Sequence, residues 1–399
     1  MEPRVVIIGH SYLSRLSLIR SVAQIGCDIT VIMTGPGDNN RFRKPIDYYS
    51  KYVSHSFYCS RKDIPGIIAL LKNKCADPVC KTVIIPDGDD IVAAIDDHKD
   101  ELKDNFYFPH IIKDPSSVAY WMEKTHQKEL AEKVGLNVAG GTVISIVDGN
   151  YSIPDCIQYP CYSKPLATMN GGKGGMRRCD TLYELKDTLD YIIQYRKSTV
   201  KVLVEDYKEI ETEYALLGYS DGSNVIIPAI LQFLETSKKN KGIALQGVVL
   251  PVLGFEELLS KFKTFVHRMG FVGVFDIDFY KSGDRFYFCE MNLRFGGSGY
   301  AITKLGVNLP ALMVKDFYGY SKDDMNMSIH TMATYTNERM CMDDWNGGFI
   351  TRKEFNRYLT GSDISFIPDA EDNRPQIEYR KSVFCRTLIN GTKRFFKKG

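Results

Sequence analysis

Apolar residues follow two rhythms along this chain. Over the first hundred positions, short apolar runs alternate with segments whose apolar residues recur every three or four positions. Residues 5–8 and 29–33 read as strands, and residues 12–25 between them carry Leu13, Leu16, Ile19 and Ala23 at helical spacing before Gly26. Residues 64–71 and 91–102 repeat the helical rhythm on either side of a strand at residues 82–85. Strands separated by helices predict a parallel sheet covered by helices.

The rhythm changes near Asp114. A helix is predicted over residues 117–134, ending at Gly135, with strands at 142–147 and 162–167. Thr181-x-x-Glu184 has the form of a capping box and opens a helix through Tyr195. Residues 200–204, 214–219 and 225–229 read as further strands. Phe255, Leu258, Leu259, Phe262, Phe265, Val266 and Met269 form a helical stripe before Gly270, and that stripe reads as core. Residues 272–280 and 285–292 predict a hairpin around Lys281-Ser282-Gly283-Asp284. The pattern is α/β with a parallel sheet in an N-terminal domain, followed by α+β subdomains. The expected divisions are residues 1–113, 114–204, 205–330 and a C-terminal extension at 331–399. No internal repeat or low-complexity segment interrupts it.

Composition narrows the class. The chain has 399 residues, 44% hydrophobic and 25% charged, which suits two or three ordinary globular domains. No run of eighteen apolar residues occurs, and MEPRVVIIGH leads straight into a strand-like run without a secretory pattern. Ten cysteines include no C-x-x-C pair, so neither a zinc site nor a disulfide framework is suggested, and a reducing cytoplasm is the expected setting. The net charge of +2 conceals an asymmetry. From Arg374 onward there are eight basic residues and one acid, a net +7, which leaves −5 for the rest.

Candidate chemistry falls in a few clusters. Gly9 is not part of a G-x-G-x-x-G run, which speaks against dinucleotide binding. Pro86-Asp87-Gly88-Asp89-Asp90 follows a strand of the parallel sheet, where ligands collect, or else is an acidic turn capping the next helix. Tyr162-Ser163-Lys164-Pro165 precedes Asn170-Gly171-Gly172-Lys173-Gly174-Gly175, with four glycines in six residues. Such a loop turns backbone N–H groups toward phosphate, or forms a hairpin tip; it lacks the P-loop spacing. Val202-Leu203-Val204-Glu205-Asp206-Tyr207, with Glu213 beyond, is a buried strand leading to either a solvated turn or an adenine hinge. Phe275-Asp276-Ile277-Asp278 and Glu290-Met291-Asn292-Leu293-Arg294 place acids on paired strands. Carboxylates among so many aromatic neighbours are costly unless paired or metal-bound, and hard oxygen ligands of this kind suit Mg²⁺.

The order of these clusters resembles the ATP-grasp superfamily. Glu123-Lys124 on a helix precedes the strand lysine, the glycine loop, the V-x-V-E-D-Y hinge, a distal acid and a final E-x-N-x-R, over roughly residues 5–318. Residues 86–102 and 273–299 look most like the D-aspartate ligase type of carboxylate–amine ligase. The resemblance implies α+β ATP-grasp subdomains after the α/β domain, with ATP and two Mg²⁺ ions as cofactors and Mn²⁺ as a substitute. It implies that Lys124 and Lys164 contact ATP phosphates, and that Gly171, Gly172, Gly174 and Gly175 form a lid. Glu205, Asp206 and Tyr207 would lie at the adenine and Glu213 at the ribose. Asp278, Glu290 and Asn292 would hold the metals, with Glu290 bridging; Asp276 competes with Asp278 for the first position, and spacing favours Asp278. Arg294 would steady the developing acyl phosphate, and Gly297 and Ser298 would bind a substrate carboxylate. Among Lys238, Lys239 and Lys241, Lys241 is the candidate to reach the γ-phosphate.

The implied activity is an ATP-dependent carboxylate–amine ligase that forms an amide on an amino acid or peptide, cell-envelope components included. Its partners would be a small-molecule acid and an amine. The same fold hosts kinases and could host a non-catalytic nucleotide-binding module, although the intact acid set argues against the latter. Arg41, Arg43 and Lys44 either meet a substrate carboxylate or are simply solvated. In the tail, Val383, Phe384, Leu388, Ile389, Phe395 and Phe396 interleave with bases. That composition suits contact with an anionic membrane surface, and so a peripheral place at the inner membrane, or a helix docked on the body. Gly391 interrupts the helical pattern there. Nucleic acid is not expected as a partner, because the acidic body would repel it; a homo-oligomer is compatible with the sequence.

Overall fold

A computed structural model of the chain describes residues 2–35, 44–166, 176–195 and 200–396. Its first unit is a five-stranded parallel sheet in the order Val53–Ser60, Asp28–Gly35, Arg4–Gly9, Thr82–Asp87, Phe106–Tyr107. The central strands are buried from Val5 to Gly9 and from Thr82 to Asp87, as expected where helices cover both faces. Strand order reverses direction between Arg4–Gly9 and Thr82–Asp87. The carboxyl ends of these two strands therefore open a crevice at the switch point, edged by Gly9-His10-Ser11 and Asp87-Gly88-Asp89.

Helix Tyr12–Ala23 leaves that crevice with Ser11 as its cap, the Ser11 side chain accepting from the Ser14 amide. It is not the one-faced helix that its apolar spacing predicts. Ser14, Arg15, Ser17, Arg20 and Ser21 are buried along with its leucines. Arg15 bonds both Asp47 carboxylate oxygens, at 2.7 and 3.0 Å, and the Gly9 carbonyl at 2.6 Å. Arg20 bonds Asp372 at 3.0 Å and the carbonyls of Phe366, Ile367 and Asp372. Each buried guanidinium thus has a carboxylate and carbonyl oxygens, which is what makes its burial tolerable.

A four-stranded antiparallel sheet follows, in the order Arg177–Cys179, Cys161–Pro165, Val200–Asp206, Gly141–Ile146. Helix Leu182–Tyr195 packs Leu185, Leu189 and Ile192 on it. Thr181 Oγ1 accepts from the Glu184 amide as the capping box predicts, but the Glu184 carboxylate reaches back to the Asp180 amide rather than to that of Thr181.

The large sheet has ten strands among the described residues. Its centre is Ile230–Thr236, Thr212–Asp221, Phe271–Ser282 and Arg285–Asn292. Helix Glu256–Met269 buries Leu259, Phe262, Phe265, Val266 and Met269 and ends at Gly270, whose φ of 75° suits glycine. The hairpin is tighter than its sequence suggests: Ser282 pairs with Arg285, and Gly283 takes φ 57° in a two-residue turn.

Several expectations are corrected. The helix expected at 117–134 is two, Val118–Trp121 and Lys124–Lys133, and that at 91–102 is Asp89–Asp97 followed by Lys99–Leu102. The strand expected at 225–229 pairs only at Val225–Ile226, while Ile230–Thr236 and Ala244–Leu250 are strands without a prediction. The sheets also cross the expected divisions. Strand Val200–Asp206 runs through the boundary at 204, and Ala333–Thr336 and Ile364–Ser365, from the C-terminal extension, join the large sheet. Helix Arg374–Phe396 continues through Gly391, because one glycine costs a helix only about 1 kcal/mol. No helix among the described residues is long and apolar enough to cross a membrane.

Candidate active site

A cleft of about 520 Å³ opens where the crevice of the first sheet faces the acid-bearing hairpin. His10, Ser11, Asp87, Gly88 and Asp89 form one wall, and Asp276, Asp278, Glu290 and Asn292 form the floor. Lys124 enters from the start of helix Lys124–Lys133 and Lys164 from strand Cys161–Pro165. Arg294, Gly297, Ser298 and Lys241 also line it. Lys238 and Lys239 do not.

The acids meet by register. Asp276 lies opposite Asn292, and Asp278 lies opposite Glu290. Strict alternation would put Glu290 on the same face as Phe288, which is buried in the core. A bulge after Asp278, where the next pair is Phe279 with Phe288, leaves Cys289 unpaired and re-phases the strand. Phe288 can then pack inward while Glu290 faces the cleft. Gly296 lets the following loop lie against Asp276, since a Cβ there would sit 2.2 Å from Asp276 Oδ2.

Lys124, Lys164 and Arg294 are each held by an acid. Lys124 pairs with Glu290. Arg294 Nε bonds Asp89 Oδ1 at 2.7 Å. Lys164 pairs with Glu205 at 2.7 Å, and Lys128 bonds the other oxygen of the same carboxylate. Burial pushes Glu205 up, but Lys164 and Lys128 outweigh it and hold the carboxyl below its ordinary value. Burial likewise works against Lys164, yet Glu205 keeps it above the usual lysine range. Glu290 is held low against its burial by Lys124, with help from Lys164 and Arg294.

Asp276 and Asp278 behave oppositely. Burial, only partly offset by Arg294, pushes Asp276 up to about 7. Burial and the neighbouring Asp276 and Glu290 push Asp278 well above the carboxylate range. Asp276 Oδ1 is buried with no hydrogen-bond partner. Lys124 stabilises Glu290, whereas Asp276 and Asp278 enter no ion pair among the described residues; with Glu290 and Asn292 opposite them, this donor set fits a divalent metal. Among the described residues no group of three or more His, Cys, Asp or Glu is arranged to hold a metal alone. Two carboxylates and the Asn292 amide oxygen leave positions for phosphate oxygens and water, as Mg²⁺ sites commonly do.

The structure brings Lys124, Lys164, Lys241, Asp276, Asp278, Glu290, Asn292, Arg294, Gly297 and Ser298 to one cleft. Glu205 stands behind Lys164 and does not line it. The backbone N–H groups of Asp206 and Tyr207 donate to Gly140 and Pro160 carbonyls, at 2.8 and 3.1 Å, so these hinge donors are engaged within the chain. The Tyr207 ring lies under Arg178 at 4.3 Å. Glu213 sits on strand Thr212–Asp221, opposite Tyr280. Gly171, Gly172, Gly174 and Gly175, like Arg41 and Arg43, lie outside the described residues. Lys44 stacks on Tyr48. Sequence reasoning missed Lys128, although it stands one helical turn after Lys124, and it missed His10, Ser11, Arg339 and Asp343. Burial, with Arg61 and Arg339 nearby, pushes His10 down to about 4, so its imidazole is neutral near pH 7.

Comparisons with known proteins bear on the fold. The family model for the carbamoyl-phosphate synthase L chain, ATP binding domain, matches residues 123–316. The carbamoyl phosphate synthase large chain of Gemmatimonas aurantiaca is 21% identical over 228 residues, which are 55% of this chain and 20% of that protein. The chain therefore spans about a fifth of the length of that relative. Among solved structures, an ADP complex of N5-carboxyaminoimidazole ribonucleotide synthetase superposes with a TM-score of 0.62 at 14% identity, covering 84% of this chain and 81% of that one. The biotin carboxylase domain of Hydrogenobacter thermophilus 2-oxoglutarate carboxylase, with MgADP, ADP and bicarbonate, gives 0.63 at 15% identity, covering 84% and 74%.

Proposed function

Since the chain has the ATP-grasp fold, we propose that it is an ATP-dependent, ADP-forming carboxylate–amine ligase acting on an amino acid or peptide. The observation that carries this reading is the opposition of Asp278 and Glu290 on the floor of a cleft that Lys124, Lys164 and Arg294 also line. Asp278, Glu290 and Asn292 would hold Mg²⁺, or Mn²⁺ in its place. Bound Mg-ATP would supply an activated phosphoryl group with its charge partly neutralised. Lys124 and Lys164 would neutralise phosphate oxygens, and their acid partners already hold them in position. The backbone at Gly297 and Ser298 would seat the substrate carboxylate. That carboxylate would take the γ-phosphoryl group to become an acyl phosphate, with Arg294 steadying the charge. A neutral amine would then attack its carbonyl carbon and expel phosphate. Positioning and electrostatics suffice for such transfers, which is consistent with a site built from cations and acids. The likeness to D-aspartate ligases in residues 86–102 and 273–299 belongs to this proposal.

Phosphate release from Mg-ATP should require an acid and an amine together. Phosphoryl transfer to one substrate alone would identify a kinase, and no turnover with any pair would identify a binding module. Glu290→Gln should lower turnover by at least about 100-fold while nucleotide still binds; retained turnover would sink the metal assignment. A second reading is favoured by the solved structures, whose names describe carboxylating enzymes: the acid would be bicarbonate. Incorporation of labelled bicarbonate into an acid-stable product, with no amide formed from any amino-acid pair, would select it.

A further inference from the structure

Helix Glu338–Asn346 forms part of the wall of the cleft. It lies beyond the residues that the family model matches. Arg339, Met340 and Asp343 all line the cleft, and Arg339 and Asp343 stand one turn apart on the same face. We propose that this pair reads the zwitterion of a free α-amino acid, Arg339 taking the α-carboxylate and Asp343 the α-ammonium. The proposal deepens the ligase reading and depends on it only for the chemistry after binding.

The charges in the cleft support the assignment. Arg61 is paired with Asp90, Lys124 with Glu290, Lys164 with Glu205 and Arg294 with Asp89. Arg339 and Asp343 enter no ion pair among the described residues. Arg339 instead donates to the Ser11 hydroxyl and stands 5.7 Å from the centre of the Tyr12 ring. Arginine and aspartate at this helical spacing pair readily with each other. Here the guanidinium is drawn away toward the first sheet, so a half-buried cation and a half-buried anion face the same space. A ligand bearing an anion and a cation a few ångströms apart satisfies both, and the Ser11 hydroxyl gives its carboxylate a second contact.

The helix is held firmly enough to act as a gauge. Asn337 caps it by accepting from the Met340 amide. Glu338 Oε1 accepts from the Phe366 and Ile367 amides at 2.8 and 3.0 Å, and the Tyr379 hydroxyl donates to the Glu338 carbonyl at 3.0 Å. On its other flank, Asp344 accepts from the Ser237 hydroxyl at 2.6 Å and from the amides of Lys238 and Lys239. The same helix therefore fixes the loop that carries Lys241. A recognition pair on such a support loses little freedom on binding.

The test is calorimetric titration of the full chain, saturated with Mg²⁺ and a non-hydrolysable ATP analogue. The probes are the twenty L-amino acids and the D-enantiomers of the chiral ones. For the tightest binder, the matched acid lacking the α-amine and the matched α-amide are titrated as well. Each missing charge should weaken binding by about 10-fold or more. Asp343→Asn should weaken the amino acid to that extent and leave the deaminated acid unchanged. Arg339→Gln should do the converse, sparing the α-amide. Thermal unfolding and analogue affinity should match wild type in both variants, which guards against misfolding. Equal binding of the amino acid and its deaminated analogue, equal losses for both in Asp343→Asn, or no amino acid bound by analogue-loaded protein would each overturn the proposal. Failure of the analogue to bind wild-type protein would instead overturn the ligase reading, and the amino-acid titrations would still judge this one.

Discussion

Glu205 shows how much one side chain can conceal from sequence reasoning. In sequence it is the first acid after an apolar strand and reads as the start of a polar turn or a nucleotide hinge. In the structure its carboxylate is buried between Lys128 and Lys164, so it holds Lys164 in place rather than facing the cleft. Glu205→Gln removes one charge and leaves two buried ammonium groups uncompensated. A loss of about 3–5 kcal/mol is expected, measured as a lowered urea midpoint, because breaking a buried pair costs more than the pair contributes. That Lys124, Lys164, Asp278, Glu290 and Arg294 share one cleft was legible because their types and order are specific. Lys128, Arg339 and Asp343 were not, because a lone charge on a helix looks the same whether it meets solvent or a buried partner.

At the scale of elements, periodicity was a good guide where one face is dry and the other wet, as in helix Glu256–Met269. It failed where burial is all round, as in Tyr12–Ala23, whose serines and arginines face packed neighbours. It was incomplete at the hairpin: residue alternation cannot reveal the bulge that sends Phe288 and Glu290 to opposite faces. Helix Glu338–Asn346 carries a pH dependence of its own. Burial pushes Glu338 from an ordinary 4.5 up to about 7, against the two amides it accepts from. The folded state therefore keeps a proton that the unfolded chain releases near pH 4.5. Stability from this group is complete below that pH and is lost as pH rises to about 7, on the order of 3 kcal/mol in all. Glu338→Gln keeps an acceptor for the Phe366 and Ile367 amides and should flatten the fall between pH 5 and 8 in urea titrations. Helix Arg374–Phe396 presents Ile377 and Phe384 outward, two turns apart, with exposed Arg380 and Lys381 between them. If it meets an anionic membrane surface, the protein should sediment with phosphatidylglycerol vesicles and not with phosphatidylcholine vesicles, and 0.5 M salt should release it.

For the molecule as a whole, the order of strands and helices was readable as a parallel sheet followed by mixed ones, but the pairing of distant strands was not. Strands from the expected extension complete the large sheet, and long-range pairing leaves no mark in local composition. Asp372 is the clearest case. It accepts from Arg20, from the Ser50 hydroxyl at 2.8 Å and from the Lys51 amide at 2.9 Å, so one residue of the C-terminal segment fastens two separate parts of the first unit. Asp372→Asn should cost about 3–5 kcal/mol by stranding a buried guanidinium. It should also expose the neighbourhood of residues 366–372 to limited proteolysis, with the chain otherwise folded.

That clasp also sets an order of events in time. Arg20 and Asp372 are 352 positions apart. At a synthesis rate of about 5–20 residues per second, roughly 20–70 s pass between the emergence of the one and the other. Throughout that interval the first helix carries a guanidinium whose permanent counter-ion does not yet exist. The opening sheet, although its strands are all made early, must wait for Asp372 before its first helix has its full set of partners.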